Sequence, residues 1–210
     1  MKLNTDLLEK IRNSDSRLVA VTKYADVDDT LEVLDILESE YLDILEGIGE
    51  NRVESLIEKN IDREKVHFIG NIQSKQIKDI IKYASVVHSL DDIKHIRKFE
   101  DICAKSGNWI QIFLQINVDK SKPGGITVEK IPEYLELIGD MENVSLVGFS
   151  AIGKSEFTRQ EKEAEFDLLI SLRNKYLPNG FVSAGTSVDY EIALEKGVDI
   201  VRIGSELFNI

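Results

Sequence analysis

Leu18-Val19-Ala20-Val21-Thr22-Lys23 is the stretch on which the fold turns. Four apolar residues and a β-branched threonine run without a charged break. That is the mark of a strand buried on both faces, as in a parallel sheet. Lys23 then places a flexible cation at the C-terminal tip of the strand. A lysine there either reaches out to solvent or lines a site. Desolvated lysine is also the side chain that becomes a Schiff-base nucleophile.

Outward from this stretch the chain alternates strand and helix. Strands are expected over 18–23, 42–47 or slightly beyond, 66–70, 85–89, 109–118, 144–152, 181–184 and 200–203. Helices are expected between them over 29–39, 51–59, 74–83, 91–105, 128–140, 159–176 and 188–196. The fifth strand is the clearest, with Ile110, Ile112, Leu114 and Ile116 alternating against Gln111 and Gln115. Gly197 sits just past the last helix, where glycine commonly ends one. Residues 1–15 carry Leu3, Leu7, Leu8 and Ile11 among charges, which reads as an amphipathic helix and lacks the apolar core of a signal peptide. Eight β units separated by helices predict a single-domain (β/α)8 TIM-type barrel over residues 1–210, with the N-terminal helix covering its side wall. An open doubly wound sheet is the competing arrangement, disfavoured by strand count and spacing.

Composition narrows the function. The net charge of −12 disfavours nucleic acid and anionic lipid, both of which reward lysine and arginine. It leaves room for one small phosphorylated ligand held by backbone N–H groups. A single cysteine, Cys103, forms no intrachain disulfide and fits a reducing, cytoplasmic setting; its helical context makes it a small buried hydrophobe. No run of about 18 apolar residues is present to span a membrane.

In a barrel of this kind the chemistry collects at the C-terminal ends of the strands. Those ends carry Lys23, Gly49-Glu50-Asn51, His67, Gly70-Asn71, His88-Ser89, Asn117, Ser150, Ser183 through Ser187, and Arg202 through Ser205. The loops after strands seven and eight both combine glycine with Ser or Thr. Glycine lets backbone approach an anion while hydroxyls and N–H groups donate to it, as at a phosphate site. The plainer alternative is that these are turn glycines and caps, with Ser187 capping the next helix. Arg202 shares strand parity with Ile200, so if Ile200 points into the barrel Arg202 does too. Buried, the arginine needs either an acidic partner or a bound heterocycle. His67 and His88 lie on neighbouring strands without metal-ligand spacing and read as hydrogen-bonded barrel residues. The acidic run Glu161 to Glu165 reads as a solvated helix face.

These segments together resemble the YggS/PROSC family of pyridoxal phosphate homeostasis proteins, single barrels like the N-terminal domain of alanine racemase. The resemblance rests on Leu18 through Lys23, Gly49-Glu50-Asn51-Arg52-Val53, His67-Phe68-Ile69-Gly70 with Gln73-Ser74-Lys75, Ser187-Val188-Asp189-Tyr190, and Gly197 through Gly204 closing with Phe208. It implies that Lys23 carries pyridoxal 5′-phosphate as a Schiff base and that Asn51 lies near the cofactor. It also implies that Ser187, Gly204 and Ser205 cradle the phosphate while Arg202 faces the pyridine nitrogen. The chain departs from the family pattern at Ala184, Thr186 and Ser150, where methionine is usual, at Asn209, and in the loop near Ser121-Lys122-Pro123-Gly124. The first three changes make the cofactor wall smaller and more polar.

The resemblance implies a monomeric cofactor carrier, with pyridoxal-phosphate-dependent apo-enzymes as recipients. A racemase on the same cofactor is the alternative. Racemisation needs a second acid/base on the face opposite the lysine, which alanine racemases take from a second, mostly β domain. The chain ends at Ile210, soon after strand eight, so that domain is expected to be absent. An arginine at the pyridine nitrogen stays protonated and delivers no proton to the ring, which weakens its electron sink. A cofactor-free aldolase using Lys23 lacks an acid/base partner and leaves Arg202 unexplained.

Overall fold

The computed structural model describes residues 2–119, 124–151, 153 and 156–208. Eight parallel strands close into a barrel in chain order: β1 (Arg17–Val21), β2 (Leu45–Glu50), β3 (Val66–Phe68), β4 (Val86–Leu90), β5 (Ile110–Gln115), β6 (Val144–Ser150), β7 (Phe181–Ser183) and β8 (Ile200–Ile203). β8 pairs back onto β1, with Val19 opposite Arg202 and Ala20 opposite Ile203. The outer layer holds α2 (Val27–Glu40), α3 (Val53–Lys59), α4 (Ile77–Tyr83), α5 (Ile93–Ser106), α6 (Ile131–Gly139), α7 (Arg159–Tyr176) and α8 (Tyr190–Lys196). The expected (β/α)8 barrel is therefore present, and the open sheet is not.

The period of two along each strand divides the interior. Leu18, Ala20, Ile48, Phe68, Ile112, Leu114 and Val201 face the helices and join the main core. Val19, Val86, Phe113 and Ile200, with Val147 against them, point inward and fill the lower barrel. Above this apolar floor the inward positions become polar: His67, His88, Ser183 and Arg202 are all buried. α1 (Thr5–Arg12) buries Leu7, Leu8 and Ile11, starts at the Asn4 cap, and covers the seam where the barrel closes. Leu3 bridges Phe208 in antiparallel fashion, and Asn4 N donates to the Leu207 carbonyl, so the two ends of the chain are tied together.

The boundaries differ where local chemistry competes with periodicity. β1 ends at Val21, and Lys23 lies in the turn that follows, closed by Ala25 N donating to Thr22 O. β2 runs Leu45–Glu50 rather than 42–47. A turn in which Ile44 N and Leu45 N share the Tyr41 carbonyl occupies the earlier positions, leaving Leu42 exposed. Two glycines in β2 weaken its strand signal and hid this register. α8 begins at Tyr190, not 188, because Thr186 N and Oγ1 both donate to Asp189 Oδ1 and hold 186–189 as a turn. The helices expected at 74–83 and 128–140 each open with a 3-10 turn, Ser74–Gln76 and Val128–Lys130. Strands β3, β5, β6 and β7 end before their expected last residues, although Ile69 N, Ile116 N, Ala151 N and Ala184 N still donate to carbonyls of the neighbouring strands; Ile152 lies outside the described residues. The run Glu161 to Glu165 is not a solvated face throughout. Glu161 completes a capping box with Thr158, and Lys162 is buried between Glu165 and Asp189 at 2.6 and 3.2 Å.

Candidate functional site

The sequence positions that favour chemistry converge at the C-terminal mouth. Lys23, Asn51, Ser187, Arg202, Gly204 and Ser205 all line one cavity of about 460 Å³, together with Val21, Ile69, Tyr24 and Thr186. They come from the ends of β1, β2, β7 and β8, which closure of the barrel makes neighbours. Lys23 is half-buried in its turn, its ammonium 4.9 Å from the centre of the exposed Tyr24 ring.

That turn is anchored from behind by Glu50, which the sequence listed only as a strand-end residue, and by Lys59, which it did not single out. Glu50 points out of the barrel toward α3, where Lys59 meets it at 2.5 Å, both nearly fully buried. Lys59 Nζ also donates to the Thr22 carbonyl at 2.8 Å, and Thr22 Oγ1 donates to Glu50. The peptide just before Lys23 is thus tied to a buried ion pair. Asn51 is positioned by close backbone contact instead. A Cβ on Gly70 would lie 2.1 Å from the Asn51 carbonyl oxygen, so only glycine lets β3's exit pass so near. The Asn51 Oδ1 is buried and meets no hydrogen-bond donor among the described residues.

Ser187 does not cap α8. Its Oγ accepts from Gly204 N and Glu206 N, each at 3.3 Å, which ties the loop after β7 to the loop after β8. A hydroxyl has one hydrogen to give. With both N–H groups donating to the oxygen, that hydrogen remains for a ligand. The Gly204 N–H faces Ser187 in this arrangement, whereas no described residue accepts from Ser205 N.

Arg202 settles the choice between acidic partner and heterocycle in one respect: among the described residues no carboxylate pairs with it. Its Nη1 donates to the Ser183 carbonyl at 2.6 Å and to Ser183 Oγ at 2.7 Å, and its Nη2 donates to the Ala151 carbonyl at 2.8 Å. Burial pulls the guanidinium down to about 10, still well above neutral pH. Guanidinium carries five N–H donors. Three are used below the cavity, leaving two for whatever fills it.

His67, His88, Asn117 and Ser150 do not line the cavity. Ser150 Oγ donates to the His88 carbonyl, and the two imidazoles are hydrogen-bonded to each other at 2.8 Å beneath Arg202. Burial lowers His67 to about 4 and His88 well below its ordinary value. Cys103 is buried in α5, its thiol pushed up to about 11 by desolvation, consistent with a packing role. Ser121, Lys122 and Asn209 lie outside the described residues. No helix among the described residues is long and apolar enough to cross a membrane, and no cluster of metal-ligating residues occurs among them.

Comparison with known proteins identifies the fold and the family. The family model for the alanine racemase N-terminal domain matches residues 1–210. A pyridoxal phosphate homeostasis protein of Helicobacter pylori is 29% identical over 213 residues, covering 96% of this chain and 93% of that protein. Another, from Pongo abelii, is 30% identical over 214 residues, covering 91% of this chain and 75% of the relative. The structure of PipY from Synechococcus elongatus, solved with PLP bound, superposes with a TM-score of 0.78 at 20% identity, covering 97% of this chain and all of that one. With the barrel, the order of its elements and these relatives in agreement, the chain belongs to the pyridoxal phosphate homeostasis protein family, whose barrel is that of the alanine racemase N-terminal domain.

Proposed function

We propose that this chain is a single barrel domain that binds pyridoxal 5′-phosphate through a Schiff base at Lys23. On this reading it holds the cofactor for intracellular supply and does not turn over a substrate. The observation that carries the reading is the convergence of Lys23, Asn51, Ser187, Arg202, Gly204 and Ser205 on one cavity at the barrel mouth.

The residues fit the group. Lys23 would supply the amine for the cofactor's aldehyde. The Asn51 Oδ1, buried without a donor, would accept from a hydroxyl of the bound group. Ser187's free O–H and the Ser205 N–H suit a phosphate, and Arg202 presents two N–H groups to a ring-nitrogen acceptor. When bound, the cofactor supplies an electron-withdrawing ring. A guanidinium opposite the ring nitrogen accepts no hydrogen bond and keeps that nitrogen unprotonated, which weakens the ring as an electron sink. His67 and His88 lie below the guanidinium, off the cavity wall, and reach no proton on a ligand. We place the protein in the cytoplasm as a monomer, delivering cofactor to pyridoxal-phosphate-dependent apo-enzymes.

Titrating the protein with pyridoxal phosphate tests the reading. A Schiff-base absorption band should grow in and should be missing in Lys23→Ala, which retains weaker, phosphate-anchored binding. Solvent deuterium exchange at Cα of alanine or serine should stay near the free-cofactor background. Exchange at enzymatic rates, on the order of 1–10³ per second, would refute the carrier reading, and absence of the band would refute the linkage.

A further inference from the structure

Four buried side chains form one hydrogen-bonded line across the barrel, from β3 through β4 and β7 to β8. His67 Nδ1 lies 2.8 Å from His88 Nε2, His88 Nδ1 lies 2.9 Å from Ser183 Oγ, and Ser183 Oγ lies 2.7 Å from Arg202 Nη1. The proposed function uses only the last of these residues.

Donor counting fixes the direction of the line. Arginine only donates, so Ser183 Oγ is the acceptor in its contact with Arg202. A hydroxyl oxygen can accept twice, so this contact alone leaves the rest of the line open. The other end closes it: the Glu46 carbonyl that hydrogen-bonds the His67 ring can only accept, so neutral His67 carries its proton on Nε2 and its Nδ1 accepts. His88 then carries its proton on Nε2, and its Nδ1 accepts the Ser183 hydroxyl hydrogen. Every contact is satisfied in one arrangement only. Burial supports it, since charging either ring in this interior is disfavoured.

The packing holds the line rigid. His88 stacks on Phe113, ring centres 4.3 Å apart and 17° from parallel. A Cβ on Gly47 would lie 2.8 Å from His67 Cδ2, so the backbone there is shaped to the imidazole. The apolar cluster of Val19, Val86, Phe113 and Ile200 lies beneath it.

We propose that His67, His88 and Ser183 are positioning residues: a one-directional hydrogen-bond line that aims the two free N–H groups of Arg202 at a ring nitrogen and so sets the affinity for it. This rests on the reading that pyridoxal phosphate occupies the cavity with its ring nitrogen at Arg202. A merely structural line would fill the barrel equally well but would not distinguish ligands by their ring atom.

Two measurements test the proposal. The first needs no cofactor. In ¹⁵N-histidine-labelled protein, His67 and His88 should both be neutral with the proton on Nε2 and should not titrate between about pH 5 and 8. A proton on Nδ1 of either buried ring, or titration of either, overturns the arrangement. The second compares pyridoxal phosphate with its analogue bearing C–H in place of the ring nitrogen. Ser183→Ala removes one atom from the line and leaves the packing almost intact. It should weaken the natural ligand by about tenfold, the worth of one hydrogen bond to a charged group, and leave the analogue nearly unchanged. Equal effects on both ligands, or none, would overturn the positioning role. If the wild-type protein fails to discriminate the two ligands, the reading of Arg202 falls and the proposal falls with it; the histidine spectra separate that outcome from a wrong hydrogen-bond line.

Discussion

Ser187 shows at the scale of one residue how local chemistry leads to a testable role. Its oxygen accepts from two loops and its hydrogen is left over. Ser187→Ala should therefore weaken pyridoxal phosphate by roughly ten- to a hundredfold, from about 1.5–3 kcal/mol for a bond to a charged acceptor. Binding of unphosphorylated pyridoxal should barely change in a parallel titration; equal weakening of both would contradict the phosphate role. Lys23 and Arg202 were legible in the sequence because each puts a cation where an apolar strand should end or continue. Ser183 was read only as the start of the loop after strand seven; its place between Arg202 and His88 was not legible, because it depends on residues far away in sequence. The pairing of Glu50 with Lys59 was hidden for the same reason: each looks like an ordinary charged residue until the barrel closes over both.

At the scale of elements, the Glu50–Lys59 pair links α3 to the ends of β1 and β2. A buried pair is costly to break from one side, because the remaining charge loses its partner. Lys59→Met alone should destabilise the barrel by about 3–5 kcal/mol and loosen the turn that carries Lys23. The double variant Glu50→Leu/Lys59→Met should recover most of that loss. Urea unfolding midpoints measure both, and simple addition of the two single losses in the double variant would argue against direct coupling. Strand and helix order was readable from periodicity, whereas ends were not. The Tyr41 turn, the Thr186–Asp189 turn and the 3-10 openings of α4 and α6 are set by side-chain and carbonyl hydrogen bonds that hydrophobic patterning does not report.

For the whole molecule, the polar layer above the apolar floor makes stability depend on pH. Burial holds His67 at about 4, below its ordinary 6.5. The unfolded chain takes up a proton near pH 6.5 that the folded barrel refuses until about pH 4. The stabilising contribution is complete above that window and falls as pH drops through it, by roughly 3 kcal/mol for this group. His88 acts in the same direction. Unfolding midpoints followed from pH 7 downward should decline more steeply for the wild type than for His67→Phe; parallel declines would show that the imidazole is not held neutral.

The central claim is that the barrel presents Lys23 alone as the covalent seat for pyridoxal phosphate. Borohydride reduction of the loaded protein followed by peptide mass mapping tests it most directly. The pyridoxyl group should appear stoichiometrically on Lys23 and on no other lysine; finding it on a different lysine, or finding none trapped at saturation, would contradict the account.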